Sequence, residues 1–180
     1  PAVKNVLEIE GPVDMAIVVV NARFVLATID QCHEKGIKGL VVISAGFKES
    51  GKEGAELEKA LLEKVRAYGM RCVGPNCLGV VNTSPDVSMD GCFAESLPER
   101  GDIGFVSQSG ALGGGILNIL KDLNIGFAQF ISIGNQADVN AEDAIEYWED
   151  QDDVRQILLY MESIQNPANF RKLATRVTRR

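Results

Sequence analysis

The chain of 180 residues holds 18 Lys and Arg against 25 Asp and Glu, a net charge of −7, with 46% hydrophobic and 24% charged residues. That is room for one large domain or two small ones, with an ordinary globular composition. The acidic balance without a basic cluster argues against a nucleic-acid surface, and no apolar run reaches the roughly 20 residues of a membrane span.

The chain begins at Pro1 without an initiator methionine or signal peptide, and reads as an excised or processed piece. Cys32, Cys72, Cys77 and Cys92 show no C-x-x-C spacing, so no metal site is expected and reduced thiols of a cytoplasmic protein are. Strand-length apolar runs then alternate with helical patterns. Residues 15–20 form a β-branched run typical of a parallel strand covered on both faces. Residues 22–35 carry Phe24, Ile29 and Cys32 at helical spacing, closed by Gly36. Residues 39–44 read as a strand, 52–68 as a charged amphipathic helix, and 70–73 as a third strand. The rhythm fades over 83–101, where Pro85, Pro98 and several acids place an inter-domain connection. It resumes with a strand at 103–106, a helix at 111–123 and a strand at 126–133. A helix at 141–149 follows, capped by Asn140 with Asp143, then a strand at 154–161 and a helix at 167–177 with Pro near its start. The expected class is α/β, with domains at 1–97 and 98–180. Right-handed crossovers put the loops after the strands on one edge of each sheet, where ligands of such sheets bind.

Ser107-Gln108-Ser109-Gly110 ends a buried strand and opens a glycine-rich helix. Unsatisfied N–H groups and the positive dipole end make this a place for a phosphate. The bland alternative is a capped helix packed on its sheet. Gly113, Gly114 and Gly115 cost roughly 1 kcal/mol each against alanine, so close packing against that helix is expected. Ile43, Ser44, Ala45 and Gly46 form a second strand-end turn, equally readable as a plain βα connection. In Gly74-Pro75-Asn76-Cys77-Leu78-Gly79, Asn76 offers a donor and an acceptor. Cys77 lacks a histidine partner, because His33, the single histidine, falls at the polar end of a helix. Glu162 follows a buried strand and either faces solvent or points into the site. The acidic run from Glu146 to Asp153 reads as a solvated face.

Together these residues resemble the nucleoside-diphosphate-forming acyl-CoA synthetases, including the α chain of succinyl-CoA ligase. The matching strings are Val41-Val42-Ile43-Ser44-Ala45-Gly46-Phe47, Gly74-Pro75-Asn76-Cys77-Leu78-Gly79, Phe105-Val106-Ser107-Gln108-Ser109-Gly110-Ala111-Leu112-Gly113 and Ile133-Gly134-Asn135-Gln136-Ala137-Asp138-Val139, followed by Tyr160-Met161-Glu162. The Ser-Ala-Gly-Phe and Ser-Gln-Ser-Gly-Ala-Leu-Gly strings are most similar to the ADP-forming acetyl-CoA synthetase branch. The resemblance implies a Rossmann-like CoA-binding domain, here partial, followed by a flavodoxin-like parallel-sheet ligase domain.

It further implies that acyl-CoA, phosphate and ADP are exchanged for acid, CoA and ATP through an acyl phosphate and a phosphohistidine. ADP or ATP with Mg2+ would sit on a partner ATP-grasp subunit or domain, and an oligomer is expected. By the same resemblance Ile43, Ser44, Ala45 and Gly46 would line the CoA site, with Asn76 and Cys77 near its thiol end. Ser107, Gln108, Ser109 and Gly110 would hold the phosphate, and Glu162 would position the phosphohistidine. The family's glycine-rich CoA nucleotide turn precedes the segment present here, and its phosphorylated histidine follows Arg180, so the piece alone is expected to be inactive. Val20-Asn21 stands where the family carries Val-Pro, and Gly114 stands where succinyl-CoA ligases carry a tyrosine, which speaks against succinate. Two other readings stay open: an acyl-CoA-sensing module of a protein-lysine acetyltransferase, and a flavodoxin-like nucleotide or flavin binder.

Overall fold

The computed structural model describes residues 2–95, 97 and 99–179. Pro1, Ser96, Pro98 and Arg180 lie outside the described residues. They include the expected chain start and one proline of the expected connection.

Three parallel strands, β1 (Met15–Val18), β2 (Gly39–Val42) and β3 (Arg71–Val73), form the first sheet in that order. The helices α1 (Ala22–Lys35) and α2 (Lys52–Ala67) connect them and bury Val25, Ile29, Leu61 and Val65 against Val18, Leu40 and Val42. α1 stops where expected, at Gly36 in the left-handed region, φ 88°. Asn21, whose side chain accepts the Arg23 N–H at 3.3 Å, caps its start. β1 ends at Val18, shorter than expected, and Ile17 and Val19 are exposed instead of being covered on both faces.

The second sheet has five strands in the order β5-β4-β7-β6-β8, drawn from β4 (Gly79–Asn82), β5 (Met89–Cys92), β6 (Arg100–Ser107), β7 (Phe127–Ser132) and β8 (Gln156–Tyr160). β6 runs parallel to β7 and β8, whereas β4 is antiparallel to both β5 and β7. The sheet is therefore mixed rather than wholly parallel. The stretch expected as an inter-domain connection contributes the hairpin strand β5 and the start of β6. Strands β4 and β5 lie ahead of residue 97, yet they pair within the second sheet.

Helix α3 (Gly110–Asp122) covers one face over Phe105, Phe127 and Phe130, and α4 (Ala141–Glu149) with α5 (Pro167–Val177) covers the other over Val106 and Ile133. Asn140 and Asp143 close the expected capping box on α4. The acidic end of α4 is less solvated than expected, because Glu149 pairs with Arg176 of α5 at 2.5 Å.

The two sheets meet through Val41, Cys77 and Val80, which pack with Met15, Val73 and Ile131. Close packing accounts for one of the three helix glycines. A Cβ on Gly113 would meet Phe130 at 3.0 Å and Ser107 at 3.1 Å, while Gly115 has nothing within 4 Å.

Candidate functional site

Every parallel strand that ends near the junction of the two sheets sends its carboxyl-end loop to the same cleft of about 650 Å³. The loop after β2 brings Ile43, Ala45, Lys48 and Glu49, and the loop after β3 brings Asn76, Cys77 and Leu78. From β6 come Gln108, Ser109 and Gly110, from β7 Gly134 and Asn135, and from β8 Glu162. Phe93 and Ala111 complete the apolar wall. The volume is that of an ordinary small-molecule site.

Ser109 caps α3, its Oγ accepting the Leu112 N–H at 3.3 Å. Gly113 N–H starts the helical ladder on Ser109 O at 3.0 Å. The N–H groups of Gly110 and Ala111 donate to no atom of the described residues. Two donors at a dipole's positive end therefore face the cleft, which is an anion-binding arrangement.

Not every expected residue reaches the cleft. Ser44 is buried, and its Oγ donates to Val20 O at 2.5 Å, tying β2 to the end of β1. Gly46 donates its N–H to Glu49 Oε1 at 2.6 Å and does not line the cavity. Ser107 is fully buried, with Oγ donating to Ser109 O at 2.6 Å, so it shapes the turn from below. Glu162 is exposed at the cleft rim. Cys77 lies 4% exposed, donating its thiol to Val42 O at 3.3 Å, and burial pushes its pKa up to about 12. Such a thiol is protonated at neutral pH and is no nucleophile. His33 stacks on Tyr68 with ring centroids 3.9 Å apart and is no part of the cleft.

The floor between the two sheets holds a polar network with no counterpart in the expectations. Asn135 Nδ2 donates to Glu49 Oε2 at 2.6 Å and to Glu58 Oε2 at 2.7 Å, while Asn76 Nδ2 donates to Asn135 Oδ1 at 3.3 Å. Lys48 pairs with Glu58 at 3.3 Å and donates to Asn135 O. Burial works against charge on Glu49, but Asn135 and the N–H groups of Gly46 and Phe47 outweigh it and hold its carboxyl below the usual range. Lys48 is the one basic side chain among the described cleft residues, and it is already engaged by Glu58. An anion in this cleft would therefore depend on backbone N–H groups. Lys48 and Glu49 carry no expected role, nor does Asn135 within the Ile133–Val139 string; no periodicity marks such partners.

Among the described residues no group of three His, Cys, Asp or Glu could hold a metal ion, and no helix is long and apolar enough to cross a membrane.

The comparisons with known proteins agree with this architecture. A CoA binding domain model matches residues 1–83, and a succinyl-CoA ligase like flavodoxin domain model matches residues 100–180. The α subunit of an ADP-forming acetate–CoA ligase II from Pyrococcus furiosus is 45% identical over 179 residues, 99% of this chain and 38% of that relative. A crystal structure from Pyrococcus horikoshii superposes with a TM-score of 0.93 at 46% identity, covering 98% of this chain and 40% of that one. A dinucleotide-forming acetyl-coenzyme A synthetase 1 of Ca. Korarchaeum cryptofilum, in complex with phosphate and ADP, superposes with a TM-score of 0.90 at 34% identity, covering 98% and 38%. The chain thus spans about two fifths of the length of these relatives. Two adjoining domain types and near-complete alignment with α-subunit sequence mean that this chain belongs to the ADP-forming acyl-CoA synthetase and succinyl-CoA ligase α-chain family, matching its α-subunit region.

Proposed function

We propose that the chain supplies the CoA-binding and ligase parts of an acyl-CoA synthetase that exchanges acyl-CoA, phosphate and ADP for acid, CoA and ATP. One observation carries this reading: a single cleft gathers free helix-head N–H groups, the Asn76–Cys77 turn and the Glu162 carboxylate. The N–H groups of Gly110 and Ala111, with Ser109 fixing the turn, would hold phosphate oxygens. Ile43, Ala45 and Leu78 offer an apolar wall that fits the pantetheine arm of CoA, with Asn76 at its thiol end. Ser44, Gly46 and Ser107 would support these walls from behind through the backbone bonds described above. Cys77, being buried and protonated, would contribute shape.

CoA brings the thiol that accepts the acyl group. The chain's own residues bind, orient and exclude water. A carboxylate beside an anion site repels it, yet it is suited to accept the N–H of an imidazole that carries a phosphoryl group. Glu162 would take that part. The ADP or ATP site, with Mg2+, would lie on a partner ATP-grasp domain or subunit. The whole protein would work as an oligomer in the cytoplasm, where its four free thiols stay reduced.

Glu162→Gln in the full-length protein is expected to slow phosphoryl transfer at least tenfold while CoA affinity stays within twofold. Quenched-flow phosphorylation and CoA titration measure the two separately. Equal loss of both would remove Glu162 from the transfer step.

A further inference from the structure

We infer that Gln108 is the positioning residue that aims Glu162 into the cleft, rather than a ligand of the anion. The inference rests on the part proposed for Glu162 above. Gln108 Oε1 accepts two backbone N–H groups, from Glu162 at 2.8 Å and from Ser163 at 3.0 Å. Its Nε2 donates to Ser163 Oγ at 3.2 Å, and its own backbone N–H donates to Tyr160 O at 2.9 Å. The two converging N–H donors fix which end of the carboxamide is oxygen, since a flipped amide would set donors against donors. Both lone pairs of Oε1 and one N–H of Nε2 are thus engaged by the loop that follows β8.

Glu162 has no comparable anchor of its own. Its side chain is exposed and its carboxylate makes no hydrogen bond among the described residues, so its placement comes through its backbone. A glutamate side chain on a free loop would carry its own rotamer entropy besides the backbone freedom of the loop. The splint removes the backbone share. Gln136 extends it from the neighbouring loop: its Nε2 reaches Ser163 Oγ at 3.5 Å and its carbonyl oxygen accepts from Gln165 Nε2 at 2.8 Å. Gln108 stands two residues from the helix head, so a shift of Glu162 relative to a bound phosphate is resisted by one short segment of chain.

The test uses the full-length protein with its ATP-grasp partner and inorganic phosphate as the varied substrate. Gln108→Ala is expected to lower kcat about tenfold with KM for phosphate and for CoA within twofold, and to speed amide exchange at Glu162 and Ser163 about tenfold. Gln108→Glu keeps an oxygen for both N–H groups, so it is expected to restore protection at both amides and to bring kcat to within threefold of wild type. A tenfold rise in phosphate KM with kcat retained in Gln108→Ala would make Gln108 an anion ligand and overturn the inference. Unchanged exchange at both amides in Gln108→Ala would overturn it as well. If instead Glu162→Gln keeps full kcat while the exchange results hold, the splint stands and the part proposed for Glu162 falls.

Discussion

Gly134→Ala is expected to lower the stability of the chain by about 3 kcal/mol, read as a lower urea midpoint. Two independent costs fall on this position. Its φ of +51° lies in the left-handed region that L side chains avoid. An added Cβ would also stand 2.3 Å from the carbonyl oxygens of both Pro75 and Asn76, so backbone has to move. The loop cannot yield alone, because Asn135 N–H donates to Pro75 O at 2.9 Å, Ala137 N–H to Gly74 O at 3.1 Å and Val139 N–H to Cys72 O at 3.0 Å. These bonds stitch the loop after β7 to the loop after β3 and form the seam from which the cleft opens. A midpoint within error of wild type would mean that the seam is loose and the cleft geometry not fixed by it.

Asn135→Asp is expected to cost about 3 kcal/mol at pH 7 and distinctly less at pH 4.5. Asn135 is 7% exposed, and its amide nitrogen serves two carboxylates at once. An aspartate there is acceptor-only, leaving three carboxylates and one lysine in the same floor. The sign of the pH dependence follows from Glu49, whose carboxyl is held below its usual range in the folded chain. In the wild type its contribution is present in full above the unfolded carboxyl range, about 4.3, and is lost as pH falls through the lower folded value. The variant loses the amide that opposes burial, so acid, by protonating the crowded carboxylates, relieves it. Urea unfolding of both proteins at the two pH values checks this. A difference that stays constant with pH would show that the loss comes from packing and not from charge.

What could be read from sequence and what could not divide along local and long-range lines. The ends of α1, α4 and α5 followed from single residues with local effects: Gly36, the Asn140–Asp143 pair and Pro167. The helix cap at Ser109 was legible for the same reason, since a cap and a glycine act within one turn. The hairpin of β4 and β5 was not. Residues 89–92 read Met-Asp-Gly-Cys, without alternation or β-branching, and become a strand because Gly79 and Val80 offer a partner edge.

The cleft shows the same limit. That loops from β2, β3, β6, β7 and β8 lie at carboxyl ends follows from βαβ alternation, but that they converge depends on how one sheet docks on the other through Val41, Cys77 and Val80. Ser44 looked like a ligand hydroxyl, yet it is engaged by the Val20 carbonyl that only the folded chain brings near, while Ser107 bonds Ser109 O within its own turn. Lys48, Glu49 and Asn135 gave no signal because they pair across more than eighty residues.

The most direct measurement is phosphate incorporation from ATP into the full-length protein with the proposed ATP-grasp partner present, read as acid-labile label. The expected result is one labile phosphoryl group per chain, discharged by acid and CoA together. A chain that carries the downstream histidine and takes up no label under these conditions would contradict the ligase account and leave the cleft as a site that binds acyl-CoA without transferring phosphate.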